Sequence, residues 1–152
     1  MAKEDINDLL RFLMPFPDGV KDLALWLREF VWDLYPGSNE LIYDNYNALA
    51  IGWSTTDRLG DTFCSIAAFG KYVHFGFYRG CDIADPEKRL IGNGKQYRYI
   101  IVKNKNDFPK TYVKKLLKEA HAHAMFSLKD GKQSVKGQSI TKSISPVKRR
   151  PG

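Results

Sequence analysis

Three stretches, residues 48–54, 62–69 and 71–78, alternate or cluster β-branched and aromatic side chains, and very short links join them. A polar loop containing Gly60 separates the first two, and Phe69-Gly70-Lys71 turns the second into the third. Links this short cannot carry a crossover, so the three runs must be antiparallel neighbours. Residues 96–103 read as a fourth strand of the same kind. Amphipathic helical spacing lies on both sides of this block. Ile6, Leu9, Leu10 and Leu13 form a short helix closed by the Pro15 to Pro17 turn. Asp18 is placed to cap a second helix, whose stripe is Val20, Leu23, Ala24, Leu27, Phe30, Val31 and Leu34, stopped at Pro36-Gly37. Asp107 is placed to cap a third helix with Pro109 in its first turn; its stripe is Val113, Leu116, Leu117, Ala120 and Ala124. Leu25 and Trp32 project away from the second stripe, so they either receive the first helix or form an exposed contact patch. The expected fold class is α+β: a two-layer sandwich of at least four antiparallel strands, with the N-terminal helices and the closing helix on one face.

The net charge of +7 divides unevenly. Residues 127–152 hold seven cations and one anion, which leaves the first 126 residues at +1. The reading is therefore one domain over residues 1–126 and a flexible basic tail over 127–152, where Ser, Gly and Lys offer little apolar surface to bury. Such an arm suits weak, sequence-blind contact with phosphates, and it brings no aromatic ring for stacking on bases. No apolar run reaches the length of a membrane span. The segment MAKEDINDLL lacks the basic and apolar regions of a secretory signal, and Cys64 and Cys81 form no metal spacing or disulfide framework. A cytoplasmic location is the expectation.

Candidate chemistry is sparse. Gly92-Asn93-Gly94-Lys95 offers two glycines that can take φ > 0 beside Lys95 and Arg98, which suits either an anion-binding nest or a turn that sets strand register. In the second case Arg98 pairs with a carboxylate such as Asp85 or Glu87. A nucleotide P-loop would need Ser or Thr and a helix after the lysine, whereas a strand follows here. His74 and Tyr78 share a strand face opposite Val73, Phe75 and Phe77. Tyr97 and Tyr99 join that open face if Arg98 points inward. Such a face fits a small planar or anionic ligand, a homo-oligomer interface, or plain packing. His121 and His123 lie too far around a helix to chelate one ion together. Asp22, Glu29 and Asp33 share a face of the second helix and could hold a hard cation weakly. Cys81, with Arg79 beside it and His74 as a possible base, lacks a third orienting group. No set of residues makes a recognisable catalytic constellation, and no cofactor is expected.

Tyr35-Pro36 stands at a helix end, His74-Phe75-Gly76-Phe77-Tyr78 in a strand, and Asp85-Pro86 in a turn. In this order residues 20–125 resemble the YdhG-like family, a bacterial domain of unknown function sometimes compared with frataxin. Leu90-Ile91-Gly92-Asn93-Gly94-Lys95-Gln96-Tyr97-Arg98-Tyr99-Ile100 meets the family's L-x-G-x-G-K-x-x-R-x-I pattern at every fixed position, and Asp107-Phe108-Pro109 enters the closing helix. Where members usually read like Tyr-Gly-Met-Pro, this chain has Tyr43-Asp44-Asn45-Tyr46-Asn47. The resemblance implies an α+β sandwich and, through the frataxin comparison, weak iron binding at Asp22, Glu29 and Asp33. The leading expectation is a non-enzymatic module binding a small or anionic ligand at His74, Tyr78, Gly92, Gly94, Lys95 and Arg98. Its alternatives are an iron chaperone and nucleic-acid contact through the tail.

Overall fold

A computed structural model describes residues 6–128 and 137–148. Helix α1 (Ile6–Leu13) is followed by α2 (Asp18–Leu34), then by β1 (Asn39–Asp44), β2 (Leu49–Ser54), β3 (Thr62–Ala68), β4 (Val73–Phe77), β5 (Arg98–Val102), α3 (Lys110–Phe126) and β6 (Ser139–Ile144). One six-stranded sheet runs β5-β4-β3-β2-β1-β6, antiparallel throughout except that β6 runs parallel to β1. The fold is α+β, a mostly antiparallel open sheet under three helices, as a two-layer sandwich requires.

Register explains which residues the helices cover. Ile42, Ile51, Ile66, Phe75 and Ile100 pair across five strands in one row, and all five are buried with residues of α1, α2 and α3 in one apolar cluster. Period 2 along each strand then puts Trp53, Cys64, Ala68, Val73, Phe77 and Val102 on the same side. Val20, Leu23, Ala24, Leu27 and Val31 of α2 and Val113, Leu116, Leu117 and Ala120 of α3 meet them, as their spacing predicts. Neither long helix begins with the expected aspartate cap. Pro17 precedes α2, and Asp18 pairs with Lys21 at 3.1 Å within its first turn. Pro109 precedes α3, while Asp107 closes a short turn by donating its N–H to the Asn104 side chain at 3.0 Å.

Two expectations need correction. Residues 139–144 are not part of an unordered tail: they form β6 and close the edge of β1, and the fold therefore continues past residue 126. The link is polar. Glu40, completely buried, accepts from Arg28 Nε at 2.5 Å and Nη2 at 3.1 Å, and also from Ser139 Oγ at 2.5 Å. Gln138 donates its N–H to the Asn39 side chain at 3.1 Å. A buried carboxylate is costly unless paired and hydrogen-bonded, and β6 supplies the last of these donors. Trp32 is the second correction. It is 1% exposed, its Nε1 donates to Ser38 O at 2.9 Å, and Arg28 stacks 4.8 Å above its ring. A Leu25/Trp32 contact patch for a second copy therefore does not exist, because Trp32 is core and Leu25 packs half-buried against it.

Candidate functional site

The sheet face away from the helices carries the aromatic residues singled out above. Gly76 pairs with Tyr99 and Phe77 with Arg98, so Tyr97 and Tyr99 share the face of His74 and Tyr78. Four rings stack in near-parallel order. His74 lies 5.3 Å from Tyr72 at 10° and 4.2 Å from Tyr99 at 16°, and Tyr97 lies 5.7 Å from Tyr99 at 23°. Their faces are turned to one another, which leaves ring edges towards solvent. Tyr97 leans across β4 so closely that a Cβ on Gly76 would collide with its hydroxyl and ring. Burial pushes the Tyr97 phenol up, with a hydrogen bond to Ser65 opposing, and burial pushes the His74 imidazole down. Burial, then the nearby Tyr78 phenol, raise Tyr43 in the same way. Tyr97 thus lies over the small residues Gly76 and Ser65, which pair across β4 and β3, as a cover on this face.

The Gly-rich turn is held from inside. Arg98 donates through Nη1 to Gly94 O at 2.7 Å and to Tyr97 O at 2.8 Å, so its partners are main-chain carbonyls and not the expected carboxylate. Gly92 takes φ +128°, a conformation that only glycine adopts without strain, while Gly94 does not have positive φ. Arg98 therefore gathers two main-chain carbonyls of the turn onto its guanidinium, and Gly92 is the one glycine of the pair with positive φ. Lys95 is exposed beside it. Asp85 organises the preceding loop. It accepts from Leu90 N at 2.8 Å, Arg89 N at 3.1 Å and the Tyr112 hydroxyl. Burial alone would raise its carboxyl, but these hydrogen bonds outweigh it and hold the group below the ordinary carboxylate range. His74 and Tyr78 therefore sit on the covered face, whereas Gly92, Gly94, Lys95 and Arg98 form a self-contained turn at the sheet edge.

The acidic ridge fares differently. Asp22, Glu29 and Asp33 are exposed along α2, but among the described residues no three His, Cys, Asp or Glu side chains come together as a metal site would need. The reading of these three as one ion site is corrected accordingly: helical spacing spreads them along the axis. Cys64 is buried and its thiol is pushed well up by that burial, which makes it unreactive; Cys81 is exposed against Asp82. Two tail cations are engaged locally, Lys142 donating to Asp57 O at 3.0 Å and Lys148 lying 3.4 Å from Asp44. Lys129, Lys132, Lys136, Arg149 and Arg150 lie outside the described residues. Among the described residues no helix is long and apolar enough to cross a membrane.

Sequence reading missed a concavity at one end of the helical layer. A cleft of about 240 Å³ opens at the C-terminal end of α3, where the start of β3 and the turn after β4 meet that helix. Phe63, Ile83, Ala120 and Ala124 give it an apolar lining, and Arg79, Asp82 and His123 stand at its rim. Small residues make the room: Ala120 and Ala124 are one turn apart on α3 and face the lining residues without filling the space. Phe126, 92% exposed, extends the apolar surface outward. The rim groups have neighbours within the chain. Arg79 pairs with Asp82 at 3.2 Å and His123 lies 3.8 Å from Glu119.

Fold and cleft together define the class: an α+β two-layer sandwich with a ligand-sized cleft at one end of its helical layer. Comparison of the chain with protein families, curated proteins and solved structures finds no match.

Proposed function

We propose that this chain is a binding domain for a small amphipathic molecule, held in the cleft at the end of α3 and not at the Gly-rich turn. One observation carries the reading: an apolar lining of Phe63, Ile83, Ala120 and Ala124 opens beneath a rim with charges of both signs. Apolar walls with a few oriented polar groups are the usual make-up of ligand sites. The volume, about 240 Å³, lies just under the roughly 300 Å³ at which ordinary ligand pockets begin, so the ligand is small. Arg79 and Asp82, held in an ion pair with each other, suit binding and orientation better than proton transfer, which needs an acid or base free to exchange.

Small aromatic and aliphatic acids and alcohols, titrated into 15N-labelled protein, test this. Saturable shifts at Ile83, Ala120, His123 and Ala124 are expected, and Ala124→Trp, which fills the cleft from a half-exposed helix position, should remove them without unfolding the chain. Shifts that persist in that variant, or that map to His74, Tyr97 and Lys95, would return the site to the open sheet face.

A further inference from the structure

The acidic ridge of α2 acquires a different meaning from what faces it. A groove of about 250 Å³ runs between α2 and the start of α3, at the other end of α3 from the cleft described above. Trp26 and Phe30 line it; Glu29 and Asp33 stand on the α2 side, and Lys110 and Lys114 on the α3 side. Both pairs have i, i+4 spacing, so two carboxylates and two ammonium groups stand as opposed rows, one per helix. Among the described residues none of these four makes an ion pair, although seven Lys or Arg ion pairs form elsewhere among them. The indole between the rows is fixed in place. Trp26 packs edge-to-face on Phe108 at 5.6 Å, and the ammonium groups of Lys110 and Lys105 lie 5.1 and 5.9 Å from its ring.

We infer that this groove binds a small zwitterion of the amino-acid type, its ammonium toward Glu29 and Asp33, its carboxylate toward Lys110 and Lys114, and its carbon skeleton on Trp26 and Phe30. The charge pattern selects this class. A metal cation attracted by the carboxylates meets two ammonium groups across the groove, and a simple anion attracted by the lysines meets two carboxylates. Each is repelled by one wall, whereas a ligand carrying both charges is attracted by both. The indole adds a face on which an ammonium or a methylene chain can rest.

The probes are 6-aminohexanoate and L-leucine, with hexanoate and hexylamine as singly charged controls, followed through the Trp26 indole N–H signal in NMR and assigned with Trp26→Phe. At least one zwitterion should shift that signal and the Lys110 and Lys114 amides saturably. Both controls should bind at least roughly tenfold more weakly, because each forgoes a charge-assisted hydrogen bond. Two double variants, Glu29→Gln with Asp33→Asn and Lys110→Gln with Lys114→Gln, change only exposed helix positions, and each should weaken zwitterion binding by a similar factor. No shift with either zwitterion overturns the inference. So does a control that binds as well as the zwitterion, or affinity unchanged in either double variant.

Discussion

The two faces of this sheet are buried by different means. Under the helices, Trp53, Phe75 and Phe77 stand among Leu27, Val31, Val113 and Leu117 in one apolar cluster. On the other face Tyr97 lies down over Gly76 and Ser65, in a stack with Tyr99, His74 and Tyr72, and covers the strands there. The difference follows from side-chain chemistry. Phenylalanine must be enclosed to gain its full transfer energy, whereas tyrosine can bury its ring and leave its hydroxyl to water or, as at Ser65, to a neighbour. A row of aromatic residues on an uncovered sheet is therefore a roof before it is a binding surface.

The comparison breaks first at Phe75. Replacing it with alanine empties a completely buried site against Phe30, Phe77 and Phe108, and should cost about 3–5 kcal/mol, a large share of the roughly 5–15 kcal/mol of a whole domain. Urea denaturation reads it directly, and a loss under about 1 kcal/mol would show that this face is not the core. The roof responds to the opposite change. Gly76→Val favours a strand intrinsically, so on a bare sheet it should be neutral or stabilising. With Tyr97 lying over the site, it should instead destabilise by about 1–3 kcal/mol. Adding Tyr97→Ala should then recover part of the loss, a coupling that a double-mutant cycle measures.

Much of this architecture was legible from period and spacing. Strands β2 to β5, the stripes of α2 and α3, and the turning of Tyr97 and Tyr99 away from Arg98 all follow from alternation. Strands β1 and β6 did not, and they pair with each other. In β1 the helix-facing positions are Glu40, Ile42 and Asp44, so two of these three are acids, while Leu41 on the other side is buried too, and the alternation is hidden. Their partners lie far off in the chain: Arg28, Ser139 and Lys148. In β6 only Ile140 and Ile144 are apolar, among Ser, Thr and Lys, and composition there resembles a solvated arm. The available signal was Arg28, a charge set between Leu27 and Val31 on the buried side of α2, which demanded a buried acid somewhere. The cleft was illegible for another reason. Its lining comes from residues near 60, 80 and 120, which only the topology brings together. Arg98 misled because its partners are main-chain carbonyls, which every residue carries.

The smallest expected effect sharpens the comparison most, because each face holds one histidine among aromatic rings. On the helix side His121 stacks on Tyr35 at 4.4 Å and meets Phe63 edge-on at 5.0 Å; on the open side His74 lies between Tyr72 and Tyr99. Burial lowers the pKa of both. A histidine lowered in the folded state takes up its proton first in the unfolded chain, whose value stays near 6.5. The unfolded state then binds more protons as pH falls through about 6.5, and stability declines until the folded-state value is passed. The contribution is thus complete above about pH 6.5 and lost below it. Both rings are partly solvated, which keeps the slope shallow. Melting temperatures taken from about pH 7.5 down to about pH 5 should fall in the wild type, fall less in His74→Gln and in His121→Gln, and flatten most in the double variant. If only His121→Gln flattens the curve, the tyrosine roof is wet around His74 and does not bury it as the helices bury His121. If the double variant keeps the full slope, neither face desolvates its histidine.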